Sequence, residues 1–170
     1  MKRTRVLKSI LTLTILTMTV WLWVSLTSVR RAPDVAFMTV TGEKILLKEM
    51  KGQPVLVTFW ATDCPSCIRE IPHLIELHQD YARQGLRIIA VAMYHDMPSR
   101  VIALTEAENL PYTVVLDPLA ELARAFGNIR LTPTSFLITP DGFIVMQKTG
   151  LLDFTEVQSQ IGRMLQREKT

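Results

Sequence analysis

At 170 residues, with 48% hydrophobic and 21% charged side chains, the chain has the composition of one folded domain plus a tail rather than of a disordered segment. The net charge of +3 is unevenly held: Lys2, Arg3, Arg5, Lys8, Arg30 and Arg31 all precede the first acid, Asp34, and the remainder carries 13 basic against 16 acidic side chains. The basic excess therefore belongs to the tail and its flanks, and a nucleic-acid partner gains no support.

Residues 1–8 form a short basic N-terminus. Residues 9–29 carry no charge and are rich in Leu, Ile, Val, Thr and Trp. At about 1.5 Å rise per residue, such a stretch spans a hydrocarbon core of roughly 30 Å as one helix. Four cations precede it and two follow, an asymmetry that places the N-terminus in the cytoplasm and the remainder outside the cytoplasmic membrane. Trp21 and Trp23 fall toward the outer end, where indoles favour the interface. A cleaved signal peptide is the alternative, but the apolar stretch exceeds a usual signal core and no Ala-x-Ala-like site follows it, so a single-pass anchor at 9–29 is expected. Residues 30–36 read as a linker in which Pro33 discourages continuation of the helix.

The folded domain is expected over 37–170. Residues 37–40 and 44–47, separated by Thr41-Gly42-Glu43, suggest a small hairpin. The apolar run 55–60, after Gly52-Gln53-Pro54, reads as a buried central strand. From Pro65 to about Gln84 the residues Ile68, Ile71, Leu74, Ile75 and Tyr81 recur at helical spacing, and Gly85 ends the helix. A second buried strand at 86–93, a helix at 99–108 and a short strand at 112–116 follow. Asp117 is placed to cap a helix over 118–126, with Pro118 in its first turn and Gly127 beyond its end. A hairpin, 135–138 and 143–149, turns through Thr139-Pro140-Asp141-Gly142, and 154–166 forms a closing helix. This β-β-β-α-β-α-β-α-β-β-α order implies an α/β domain with a central mixed sheet, helices on both faces and an N-terminal hairpin extension.

Only two cysteines are present, both in Cys64-Pro65-Ser66-Cys67. A disulfide framework would need more of them, and a four-thiolate zinc site would need a second pair. What remains is a redox pair at a strand-to-helix junction. Unpaired N–H groups and the helix dipole stabilise an anion there, which makes Cys64 the nucleophile and Cys67, within the first turn, the resolving thiol. An inert staple is a poor alternative, because so short a loop removes little chain entropy.

The segment Phe59-Trp60-Ala61-Thr62-Asp63-Cys64-Pro65-Ser66-Cys67, with Glu70-Ile71-Pro72, Leu131-Thr132-Pro133-Thr134-Ser135-Phe136 and Pro140-Asp141-Gly142, resembles the membrane-anchored TlpA/ResA-type branch of the thioredoxin superfamily, from about residue 35 onward. The resemblance implies a thioredoxin-like fold, a protein thiol–disulfide oxidoreductase, and no cofactor beyond the Cys64–Cys67 disulfide. It further implies a cis Pro133 beside the dithiol, with the adjacent backbone at Thr132 pairing with substrate. Trp60, Asp63, Pro65 and Ser66 complete the expected substrate contacts. Glu70 matches an acidic residue of that branch and lies three residues after Cys67 on one helix face, placed to relay the resolving thiol's proton. Thioredoxin itself has a buried Asp at the position of Thr58, which cannot titrate in that range. Asp63 stands where the branch usually has Trp, opposing a thiolate at Cys64 and removing an aromatic contact surface. The same resemblance implies a reductase, resupplied by a polytopic membrane thiol reductase and acting on protein thiols such as those met in cytochrome c or oxidase maturation.

His73 and His78 are five apart, off a common helical face, and no metal site is expected from them. Cys64 and Cys67 with His95 form the alternative, a Sco-like copper-delivery protein. Those proteins, however, space their cysteines by three residues rather than two.

Overall fold

The computed structural model describes residues 14–19, 21 and 30–167. Residues 14–19 are helical, with Ile15, Leu16 and Met18 exposed. Most of the expected anchor at 9–29 lies outside the described residues, and among the described residues no helix is long and apolar enough to cross a membrane. A compact unit spans Arg31–Thr170.

Its main sheet has six strands: β1 (Arg30–Arg31), β4 (Val55–Trp60), β5 (Arg87–Ala92), β6 (Thr113–Leu116), β7 (Thr134–Ile138) and β8 (Phe143–Thr149), in the order β1-β8-β7-β4-β5-β6. The hairpin strands β2 (Ala36–Met38) and β3 (Lys44–Leu46) form a separate two-stranded sheet. β4 runs parallel to β5 and antiparallel to β7, so the sheet is mixed. Every residue of β4 is buried, as its unbroken apolar run requires of a strand covered on both sides.

Alternation along β4 sends its side chains into two cores. Leu56 and Trp60 join a cluster with residues of α1 (Pro65–Tyr81), α2 (Pro98–Ala107) and the closing helix α4 (Phe154–Arg167). Val55, Val57 and Phe59 pack on the opposite face against Phe37 of the hairpin, Leu47 of a 3-10 turn (Leu47–Met50), and Leu122 and Ala123 of α3 (Glu121–Ala125). Helices thus lie on both faces, three on one and a single short one on the other.

Several element ends shift by one or two residues, the helix expected to about Gln84 closes at Tyr81 with a 3-10 turn at Ala82–Gln84, and two departures go further. The segment 30–36 is not only linker, because Arg30–Arg31 pairs at the sheet edge next to β8. The helix expected over 118–126 is shorter, Glu121–Ala125. Asp117 does cap it, but its Oδ1 and Oδ2 accept from the N–H groups of Leu122 and Ala123 at 3.1 and 2.8 Å. To bring those amides within reach, 118–120 turn instead of coiling, with Ala120 at φ 54°.

Candidate active site

β4 delivers the chain to the C-terminal edge of the sheet, and the loop that follows is held from the neighbouring strand. Met93 N–H donates to the Trp60 carbonyl at 3.0 Å. The Thr62 N–H and hydroxyl donate to the two carboxylate oxygens of Asp96 at 2.6 and 2.7 Å. Asp96 was not among the residues singled out from sequence. Its signal was the parallel pairing of β4 with β5, which places the segment after β5 beside the dithiol loop.

Cys64 is the N-cap of α1, in extended backbone (φ −99°, ψ 103°), with Pro65 at the start of the helix. Its Sγ accepts from the Cys67 N–H at 3.2 Å and lies 3.3 Å from the Ser66 hydroxyl. Cap position and donor together supply the positive environment that favours sulfur as an anion. The two cysteines are joined, with S–S 2.16 Å and Cα–Cα 5.3 Å. Cys64 is 9% exposed and Cys67 3%, so an incoming thiol reaches Cys64 first. α1 continues without interruption through the exposed Pro72.

Glu70 is brought beneath this pair. Only 2% exposed, it accepts a hydrogen bond from the Leu152 N–H at 2.6 Å, across 82 positions of chain. Burial pushes its carboxyl above the ordinary carboxylate range, while the Leu152 bond and the charge of His73 pull the other way. Glu70 and Cys67 line one internal cavity of about 10 Å³, far too small for a substrate, together with Thr58, Trp60, Leu110 and Tyr112. Tyr112 is held protonated by burial and by the charges of Glu108 and Glu70. Thr58 accepts from the Ser135 hydroxyl at 2.9 Å. Trp60 is 5% exposed and its buried indole N–H has no partner among the described residues, so it lines the interior rather than the outer rim.

The Thr132–Pro133 bond is cis. Phe59 pairs with Thr134, so Pro133 lies one step further along, across from Trp60 where the dithiol loop leaves the sheet. Gly150 N–H donates to the Pro133 carbonyl at 2.8 Å. Thr132 is half-buried, and its backbone N–H and carbonyl make no hydrogen bond among the described residues. Asp63 and Pro65 are exposed and Ser66 half-buried. Asp63 borders a groove of about 450 Å³ shared with Thr62, Arg100, Ala103 and Ala107 of the neighbouring helix.

The histidines go elsewhere. His73 packs its ring 5.0 Å from that of Phe154, His78 lies 6.4 Å from Tyr112, and His95 meets Tyr94 edge-on at 5.2 Å. Among the described residues no three His, Cys, Asp or Glu side chains gather into a metal-holding group.

Residues 29–147 match the model of the AhpC/TSA family. The thiol-disulfide oxidoreductase ResA of Bacillus thuringiensis subsp. konkukian is 35% identical over 124 residues, covering 71% of this chain and 69% of that one. The protein of the same name from Halalkalibacterium halodurans is 38% identical over 109 residues, 64% of this chain and 61% of its own. Among solved structures, a thiol:disulfide interchange protein of the thioredoxin family from Chlorobium tepidum superposes with a TM-score of 0.74 at 26% identity, covering 82% of this chain and 98% of that one. StoA from Bacillus subtilis gives 0.64 at 25% identity, covering 75% and 96%.

Proposed function

Because the chain belongs to the AhpC/TSA family, with ResA thiol-disulfide oxidoreductases among its relatives and a thioredoxin-like fold, it is a protein-disulfide oxidoreductase, and we propose that it works as a reductase of protein disulfides outside the cytoplasmic membrane. The observation that carries this reading is the placement of Cys64: a helix cap, the more exposed sulfur of the pair, with Cys67 and Glu70 behind it.

In the reduced protein the Cys64 thiolate attacks one sulfur of a partner disulfide, forming a mixed disulfide and releasing the partner's other sulfur as thiolate. Cys67 then loses its proton to Glu70 and attacks Cys64 Sγ. The second partner thiolate leaves and the Cys64–Cys67 bond forms, so two electrons pass to the partner. Burial suits Glu70 to this task, since a carboxylate with a raised pKa is a better base toward a thiol. The unpaired backbone of Thr132, with Pro133 beside it, offers the substrate chain a hydrogen-bonding edge. Pro65, Ser66 and Asp63 form the outer lip. The dithiol is the whole redox group, and a polytopic membrane thiol reductase returns the electrons.

The uncharged stretch 9–29 between basic flanks supports a single-pass anchor with the catalytic unit outside. Cytochrome c or oxidase maturation supplies substrates of the right chemistry, cysteine pairs that must be reduced in that compartment.

The test is the full chain with Cys67→Ser, which should accumulate a mixed disulfide with an oxidised peptide, whereas Cys64→Ser should accumulate none and should lose insulin reduction. A dithiol couple less reducing than glutathione would reverse the direction and make the protein an oxidase. Labelling of reduced Cys64 by a membrane-impermeant maleimide in intact cells checks the location; protection until the cells are lysed would refute it.

A further inference from the structure

The end of the sheet that carries the dithiol also carries an open groove of about 520 Å³, between the segment after β5 and residues 118–130. Tyr94, Leu119, Ala123, Arg124, Ile129 and Arg130 line it. Its position follows from the fold. Ala92 pairs with Trp60, so Tyr94 leaves the sheet beside the start of the dithiol loop, and Arg130 stands two residues before Thr132.

Two features set this surface apart. First, large apolar side chains of its lining face water: Tyr94 is 55% exposed and Leu119 67%, and Leu131, next in sequence to Arg130, is 67% exposed. Second, Arg124 and Arg130 are exposed, and neither guanidinium forms an ion pair or hydrogen bond among the described residues. Among the described residues no carboxylate lies within ion-pairing distance of either guanidinium. Asp117 is occupied by the Leu122 and Ala123 amides, Asp96 by Thr62, and the exposed Glu121 makes no ion pair with either arginine. Apolar contact area beside two planar cations that hold no ion pair suits a chain that brings both an apolar side chain and carboxylates.

We propose that this groove docks the polypeptide substrate through a segment in which Asp or Glu flank an apolar residue close to the reacting cysteine, so that acidic polypeptides are the preferred substrates. The inference rests on the thiol-exchange reading and deepens it by naming the substrate class. Charges at a rim act chiefly on the rate of encounter and weaken as salt screens them, so the preference is kinetic and falls with ionic strength.

The experiment uses the purified full chain in its reduced form and three disulfide-bonded peptides, alike except that the residues flanking a leucine next to the cysteine are Asp, Asn or Lys. Each rate is divided by that of the same protein with bis(2-hydroxyethyl) disulfide, an acyclic and uncharged oxidant. At low salt the Asp peptide should react about fivefold faster than the Asn peptide and the Lys peptide slowest, with the order collapsing at high salt. The double variant Arg124→Ser/Arg130→Ser should bring the Asp peptide down to the Asn rate. Equal rates in the unmodified protein, a preference for Lys, or a double variant that slows all three peptides alike would overturn the proposal. So would self-association that the double variant abolishes, which would give the groove to a second copy of the chain. A protein that fails to exchange with bis(2-hydroxyethyl) disulfide at all sinks the parent reading and this one with it. Normal exchange without charge preference sinks this one alone.

Discussion

The two faces of the central sheet are built from the same strand and do different work. On one face Val55, Val57 and Phe59 enter a core of packed apolar side chains, where the ring centroids of Phe59, Phe126 and Phe136 lie 5.0 to 6.0 Å apart in edge and tilted contacts. On the other, Leu56, Thr58 and Trp60 face the dithiol, the buried Glu70 and a cavity with an unpartnered indole N–H. The comparison shows how a period of two separates anchoring from chemistry: the face that carries the dithiol and its buried acid is backed by one of packed rings, where the buried acid Asp117 serves to cap α3.

Removing an aromatic ring from the anchoring face is the strongest way to break that division. Phe136→Ala should cost about 3–5 kcal/mol of unfolding free energy by denaturant titration, while the folded protein keeps its exchange rate. A variant that unfolds no more easily, yet exchanges poorly, would show that the faces are not separate. Next in size is Glu70→Gln, which should slow exchange about a hundredfold if the carboxylate handles the Cys67 proton.

The same substitution has a second signature. Burial holds Glu70 above its ordinary value of 4.5 in the folded protein, so its contribution to stability is fullest below that value and is lost as pH rises through the folded pKa. Glu70→Gln should therefore melt higher than the unmodified protein at pH 7, with the difference closing toward pH 4. Thr58→Val takes away the acceptor of the buried Ser135 hydroxyl and should cost about 1–2 kcal/mol, again with exchange preserved. The smallest effect belongs to the exposed lip, where Asp63→Asn should speed alkylation of reduced Cys64 by iodoacetamide about twofold at neutral pH. A rate profile that does not move would remove Asp63 from the account of the thiolate.

What could be read in advance followed the range of the forces involved. β4, β5 and α1 announce themselves through local periodicity, and Cys64-Pro65-Ser66-Cys67 through its place at their junction. Glu70 was legible as a neighbour of Cys67 because three residues is one helical turn. Its grip on Leu152 was not, since that contact joins positions 82 apart and appears only once α1 and the segment before α4 pack together. For the same reason Leu110 and Tyr112, which close the cavity from the segment before β6, carried no signal in their own neighbourhood. The cap at Asp117 was recognised but its helix misplaced, because a carboxylate that reaches five and six residues ahead leaves a turn where a contiguous helix was expected. The strand Arg30–Arg31 was missed because an edge pairing of two residues has no pattern to display.

The bond from the Leu152 amide to Glu70 reaches past the redox pair. Leu152 lies two residues before α4, so its hydrogen bond, which works against the burial that raises the Glu70 pKa, depends on how firmly the last helix is seated. A fusion partner or purification tag that tugs on the carboxyl end would detune the thiol chemistry from the far end of the polypeptide while leaving both sulfurs untouched.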